Sequence, residues 1–201
     1  DQVIINLSMD GGRTLIATED LPSFEDNIWA LFLRNCGLSK FSGTTLPKML
    51  AGKTANANPF ISNLTHGISA SSTPKDIETA LQLLYLTFTD PRFDEDEFQI
   101  GIQQIKAILP NIQKDPDFQF QIEKEKVFYN NNPRVLALND ELLTKANLAT
   151  VERVYRELFK DAAGAEVTIV GNADLAVLKP LVEKSIGSLP KGQKATAWIK
   201  E

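Results

Sequence analysis

Two residue types that are common in metal sites and as catalytic bases or nucleophiles, histidine and cysteine, each occur once in this chain. Among its 201 residues there is one histidine, His66, and one cysteine, Cys36. A catalytic zinc ion in a peptidase is held mainly by imidazole and carboxylate groups, and helical zinc motifs place two histidines one turn apart. A single histidine cannot complete a His-Glu-x-x-His or a His-x-x-Glu-His motif in any fold. The composition therefore excludes a catalytic zinc site of this type built from this chain alone, and we assign it no catalytic, cofactor or metal residue.

Both residues have ordinary structural interpretations. Cys36 follows an apolar run and has no evident basic partner, which favours a buried thiol over a nucleophile. His66 stands between Thr65 and Gly67 beside a predicted strand, and we expect a surface or half-buried side chain. A substrate or interdomain contact is the alternative for His66, since metal binding would need partner ligands that the chain does not offer.

Charge and composition are typical of a globular domain. The formal net charge is −5, with 43% hydrophobic and 23% charged residues, close to the averages for such domains. The chain has no excess of basic residues that would favour binding to nucleic acid. No apolar run reaches the roughly 20 residues of a membrane span. With one cysteine, an internal disulfide cannot form.

Strand-like and helix-like patterns alternate along the chain. A strand is predicted over 3–9, and an antiparallel hairpin from the stretches 53–60 and 67–72. The capping and stop signals predict a helix over 24–36 with Ser23 as its N-cap, and another over 95–109 that Pro110 stops. Thr150 is predicted to cap a later helix. Together the patterns predict a single α+β domain over 1–190, with helices packed on one face of a mixed, mainly antiparallel sheet, and a linker-like tail over 191–201.

The stretch 28–35 has the sequence Ile-Trp-Ala-Leu-Phe-Leu-Arg-Asn. It resembles the zinc-binding helix of the M16 (pitrilysin/insulinase-type) metallopeptidases, which the family writes Gly-Ile-Ala-His-Phe-Leu-Glu-His. The apolar frame is kept, whereas the ligand and base positions hold Leu31, Arg34 and Asn35. The family's third ligand is a glutamate on a later helix, and the matching window 103–108 contains Gln103, Gln104 and Lys106 but no carboxylate.

The resemblance extends over nearly the whole chain through the order of further elements. These are Leu-Ala-Gly-Lys at 50–53, Pro-Arg-Phe-Asp at 91–94 and Val-Thr-Ile-Val-Gly-Asn at 167–172. The first two are most similar to the third domain of four-domain bacterial members. The resemblance implies a place in the C-terminal half, which closes over a peptide chamber, with zinc held in the catalytic domain of the parent protein. Because bacterial members are often exported, it favours a periplasmic location.

Two functions are compatible with this resemblance. In the first, the chain is a non-catalytic domain that helps enclose and position peptide substrate beside a catalytic M16 domain of the same polypeptide or of a partner subunit. Strand addition at an exposed edge is the physical route, and the candidate edge is formed by Thr54, Ala55, Asn56, Ala57 and Asn58. In the second, the chain is a degenerate structural or binding subunit of a complex with no proteolytic role.

Overall fold

The computed structural model describes residues 2–200. Over this range the chain forms four strands and eight α-helices, with four short 3₁₀ turns between them. In chain order they are β1 (Val3–Asp10), α1 (Asp26–Asn35), α2 (Leu46–Met49), β2 (Ala55–Ile61), β3 (Thr65–Ser72), α3 (Ile77–Thr89), α4 (Glu95–Ile112), α5 (Pro116–Phe128), α6 (Asp140–Lys145), α7 (Leu148–Leu158), β4 (Glu166–Gly171) and α8 (Leu175–Ser185).

The strands form one sheet in the order β2-β3-β1-β4, and all three pairs are antiparallel. The central strand β1 alternates, since Val3, Ile5 and Leu7 are fully buried whereas Ile4 is 46% exposed. This period of two is that of a strand with one covered face. The predicted α+β class, the mainly antiparallel sheet and the hairpin of β2 and β3 are confirmed.

The chain folds into two compact units. The first comprises 2–15, 37–92 and 155–200 within the described range and contains the sheet. In it α3 packs on β2 and β3, and α8 packs on α3. The α3 residues Ile77, Ala80, Leu81, Leu84 and Phe88 are buried, in the i, i+3, i+4, i+7 spacing of a core-facing helix.

The second unit comprises 16–36 and 93–154. Its main helix pair is α1 with α4. A row of aromatic rings supports α1: Trp29 lies 5.5 Å from Phe24 and 5.3 Å from Phe32, which stacks on Phe93 at 5.4 Å between centroids. These spacings are those of favourable ring pairs.

Three helix boundaries differ from the predictions. The N-cap of α1 is Glu25, whose carboxylate accepts from the backbone N–H groups of Asn27 and Ile28, whereas the predicted cap Ser23 accepts from Asn147 N. Thr150 does not cap α7 but donates its N–H to the Asn147 side chain at 2.8 Å. Pro110 does not stop α4, which continues to Ile112, because a proline near a helix end removes only one ladder bond.

None of the helices in residues 2–200 is both long enough and apolar enough to cross a membrane. The tail that follows Leu189 has no helix or strand up to residue 200. Two hydrogen bonds nevertheless join it to the start of the chain: Thr196 Oγ1 donates to Asp10 O at 2.6 Å, and Ile199 N donates to Thr14 Oγ1 at 2.9 Å. The prediction of one domain with a linker-like tail stays a prediction.

Candidate functional site

Helix α1 places Leu31 in the core of its unit. The Leu31 side chain is only 5% exposed. It packs against α4 at Gly101, where an added Cβ would overlap the Leu31 methyl groups. A glycine on one helix opposite a leucine on the next allows the two helices to approach closely. At this position α1 therefore carries a packing residue.

Arg34 and Asn35 lie at the end of α1 and form a polar cluster with α4. The Arg34 Nη2 atom donates to Gln104 Oε1 at 3.2 Å, and Arg34 Nε donates to Asn35 Oδ1 at 3.4 Å. The Asn35 Nδ2 atom donates to the backbone oxygen of Glu97 at 3.4 Å. Arg34 and Gln104 are exposed. The structure thus brings Arg34 together with Gln104, the residue at the predicted third-ligand window.

His66 lies in the core of its unit, with no exposed surface. Our expectation of a surface or half-buried side chain is wrong, because β3 turns this residue inward. Gly12 N donates to His66 Nδ1 at 3.3 Å, and Nε2 lies 3.0 Å from Leu158 O. Since Gly12 N–H only donates and the Leu158 carbonyl only accepts, the proton resides on Nε2. Both ring nitrogens are used within the protein, and burial lowers the pKa of His66.

The candidate edge strand is found at an edge of the sheet, where β2 pairs only with β3 among the described strands. Thr73 N donates to Thr54 O at 3.1 Å, and Ser62 N donates to Thr65 O at 2.8 Å. In an antiparallel pair successive residues direct their backbone groups to opposite sides. The even-numbered residues 54–62 therefore face β3, and the backbone groups of Ala55, Ala57 and Ile61 face outward.

Pro59 fits this arrangement, because its backbone groups also face outward. The N–H group that proline lacks is therefore not needed for pairing with β3. The side chains of Asn56 and Asn58 are exposed, and those of Ala55 and Ala57 are half-buried. Thr54 precedes β2 and donates its N–H to the buried Asp76 at 3.0 Å. This hydrogen bond is the main cause of a lowered pKa of the Asp76 carboxyl.

A cleft of about 450 Å³ lies between α3 and α8. Its walls are mainly apolar and include Leu81, Tyr85, Leu86 and Leu181, with Lys184 and Glu78 also lining it. The lining residues do not include a histidine or a cysteine. Its two serine hydroxyls donate to backbone oxygens of α8, Ser185 Oγ to Leu181 O at 2.6 Å and Ser188 Oγ to Lys184 O at 2.7 Å, rather than to a basic side chain.

Comparisons with known proteins agree with the sequence resemblance. The chain is 29% identical over 117 residues to "Zinc protease PQQL-like" of Arabidopsis thaliana, a match that covers 58% of the chain and 12% of that protein. The crystal structure of the periplasmic protease PqqL from Escherichia coli matches with a TM-score of 0.76 and 16% identity, over 98% of the chain and 22% of PqqL. The ferredoxin protease FusC, solved in complex with Arabidopsis ferredoxin, matches with a TM-score of 0.72 and 16% identity, over 100% of the chain and 21% of that protein. No family model matches the chain.

The similarity to a protein named as a zinc protease supports an M16 family domain, and the two structures share its fold. The chain spans about an eighth of the length of its curated relative and about a fifth of the two structures. In extent the chain thus corresponds to one part of these longer proteins.

The zinc that the resemblance implies does not fit the residues of this chain. At the helix positions that resemble the zinc motif, the side chains are an alkyl group, a guanidinium and an amide, with the amide of Gln104 opposite. A guanidinium repels a cation, and zinc prefers imidazole, thiolate and carboxylate ligands. Within residues 2–200, no cluster of three or more His, Cys, Asp or Glu side chains could hold a metal ion.

Proposed function

We propose that this M16 domain is a non-catalytic part of a zinc metalloendopeptidase, in which it helps enclose and position peptide substrate for a zinc site in another domain. The observation that carries the proposal is the replacement of the motif on α1: Leu31 is a core residue, while Arg34 and Asn35 bond to α4. Similarity to a protein named as a zinc protease supports a zinc site elsewhere in the parent protein. The Leu-Ala-Gly-Lys and Pro-Arg-Phe-Asp elements favour the third domain of a four-domain arrangement.

The outer side of β2 is the proposed contact for substrate. The N–H and C=O groups of Ala55 and Ala57 face away from β3, so an extended peptide could add to the sheet there. Backbone hydrogen bonds of this kind tolerate many side chains, as the substrate contacts of an endopeptidase require. Pro59 lacks an N–H group, so position 59 offers only its carbonyl oxygen to such a peptide.

The replacement Ala57→Pro tests this contact in the full parent protein. It removes an outward N–H and no ladder bond to β3. Losing one hydrogen bond of about 0.5–1.5 kcal/mol should raise the KM for a quenched fluorescent peptide about two- to tenfold, with kcat less affected. Ala57→Ser keeps the N–H and should leave KM unchanged, whereas Asn58→Pro removes a ladder N–H and should lower the stability.

Two results would count against the proposal. A KM that Ala57→Pro leaves at the Ala57→Ser value, in a stably folded variant, removes β2 as a substrate contact. A parent protein or complex whose peptide hydrolysis is absent, and unaffected by zinc or chelator, favours the alternative of a structural or binding subunit without a proteolytic role. The same motif loss on α1 is compatible with that alternative, so the hydrolysis assay decides between them.

A further inference from the structure

The guanidinium of Arg34 has unused hydrogen-bonding capacity. An arginine side chain carries five N–H donors, and here one bonds to Gln104 and one to Asn35. Within residues 2–200, Arg34 forms no ion pair with a carboxylate. Glu97 approaches the cluster through its backbone oxygen, which accepts from Asn35. Three donors and a full positive charge therefore remain at the surface, and Gln104 and Asn35 restrain the side chain.

Exposed apolar side chains flank this cation along α4. Ile100 is 52% exposed and Ile108 is 53% exposed. They lie four residues before and four residues after Gln104, so the three share one stripe of the helix. Two exposed isoleucines with a fixed cation between them favour a ligand that has an acidic group between two apolar groups.

The spacing of the stripe matches an extended peptide. Four helical residues advance about 6 Å along the axis, and alternate residues of an extended chain, whose side chains share one face, are about 6.8 Å apart. A peptide lying along α4 in either direction would thus place an acidic side chain at Arg34 and the side chains two residues before and after it on Ile100 and Ile108. Because apolar groups lie on both sides, the geometry favours an internal acidic residue over a C-terminal carboxylate.

We propose that the Arg34 cluster is a recognition site for an extended peptide segment of the pattern apolar–x–acidic–x–apolar. The guanidinium pairs with the acidic side chain, and Ile100 and Ile108 contact the flanking apolar side chains. The proposal rests on the proposed function, since it gives that peptide-positioning domain a sequence preference. The cationic surface acts on substrate side chains and takes no part in bond cleavage.

The test uses the full parent protein with its zinc removed by chelator, so that bound peptide is not cleaved. The probes are three fluorescein-labelled peptides, Gly-Ile-Ser-Glu-Ser-Ile-Gly and its analogues with Gln or Lys in place of Glu, and fluorescence anisotropy gives each Kd. Arg34→Gln should weaken binding of the Glu peptide about tenfold or more, because a charge-assisted pair is lost. Binding of the Gln peptide should change less than about twofold. Arg34→Glu should reverse the preference, so that the Lys peptide binds more tightly than the Glu peptide.

Lys106→Gln is the matched control, because it also removes one positive charge and Lys106 is an exposed cation of α4 outside the stripe. It should leave the ratio of the Kd values for the Glu and Gln peptides unchanged. Equal binding of the Glu and Gln peptides to the wild type, or equal effects of Arg34→Gln and Lys106→Gln, would overturn the inference. If the parent protein still hydrolyses peptide and responds to Ala57→Pro in that case, the proposed function stands and only the Arg34 site is lost. Peptide binding that depends on Arg34 in a parent without chelator-sensitive hydrolysis would reject the protease role instead.

Discussion

The three residues at the zinc-motif positions have separate structural roles. Leu31 fills space against Gly101, Arg34 bonds to Gln104, and Asn35 bonds to the backbone of Glu97. Restoring histidine at position 31 would bury a polar ring where an apolar side chain packs, which is unfavourable without a hydrogen-bond partner. The side chains at these three positions thus make contacts that stabilise the α1–α4 pair.

The buried histidine makes the stability of the chain depend on pH. Burial is the largest cause of the lowered pKa of His66, opposed by the hydrogen bond to Leu158 and by the nearby Asp10. In the unfolded chain the pKa returns to about 6.5. Above that value both states are neutral and the full stability is present. As the pH falls below it, the unfolded state takes up a proton that the folded state resists, so stability is lost.

We therefore expect the free energy of unfolding to fall as the pH is lowered from 7.5 to 5.5, with a slope of at most about 1.4 kcal/mol per pH unit. His66 is the only histidine, so no other side chain with an ordinary pKa titrates in this window. Urea unfolding at a series of pH values gives the slope. His66→Gln, which stays neutral, should have a flatter profile. Parallel profiles for the wild type and His66→Gln would contradict this account.

At the scale of elements, the contact of α1 with α4 depends on the missing side chain at Gly101. Helix α4 accepts a glycine in its interior although glycine costs about 1 kcal/mol relative to alanine in a helix. The Leu31 side chain occupies the space that an alanine Cβ would take. The destabilising effect of glycine in the helix is offset by close packing between the two helices.

Gly101→Ala should destabilise the chain by about 1–2 kcal/mol. The added Cβ would overlap the buried Leu31 side chain, so overpacking in the upper part of its usual range, about 2–3 kcal/mol, exceeds the gain of about 1 kcal/mol in helix propensity. Leu31→Ala alone should cost about 2–4 kcal/mol. The double variant should be less destabilised than the sum of the two, since the new methyl group enters the space that Leu31 vacates. Urea unfolding of the four proteins measures this coupling.

Gly187→Ala is the control, because an added Cβ there would meet only Val182 O at 3.7 Å. We expect a change within about 0.5 kcal/mol for this variant. If Gly101→Ala behaves like Gly187→Ala, or the two effects at positions 31 and 101 simply add, the packing account of the α1–α4 pair is wrong.

For the whole molecule, the prediction concerns where zinc resides. The chain by itself should bind no zinc tightly, so its thermal midpoint should be the same with added zinc and with chelator, since a ligand stabilises only a state that binds it. The full parent protein should lose both zinc and peptide hydrolysis on chelation, and regain both on reconstitution. Metal analysis and a quenched-peptide assay on both proteins give the result. Chelator-sensitive hydrolysis by the chain alone would refute the proposal that the zinc site lies in another domain of the parent protein.

Much of the fold follows from local signals. The strand over 3–9 and the hairpin are predicted from short-range patterns, and the structure reproduces both. The predictions are wrong where a residue distant in the sequence determines the hydrogen bonds of a side chain. Ser23 was an available cap by type, but its hydroxyl accepts from Asn147 instead. The burial of His66 follows from its pairing with Gly12 and Leu158, which lie 54 and 92 residues away.

The sequence by itself determined that this chain makes no His-x-x-Glu-His zinc site, because a count of one histidine holds in every fold. Through the resemblance it also predicts a degenerate zinc-motif helix over 28–35 and a third-ligand window near Gln104 that has no carboxylate. Tertiary structure alone decided which residues meet: Arg34 with Gln104 across 70 positions, Leu31 with Gly101, and β2 at an edge of the sheet. The physical reason is that periodicity reports which face of an element is apolar, whereas the partner of that face is selected by packing and hydrogen bonding over the whole chain.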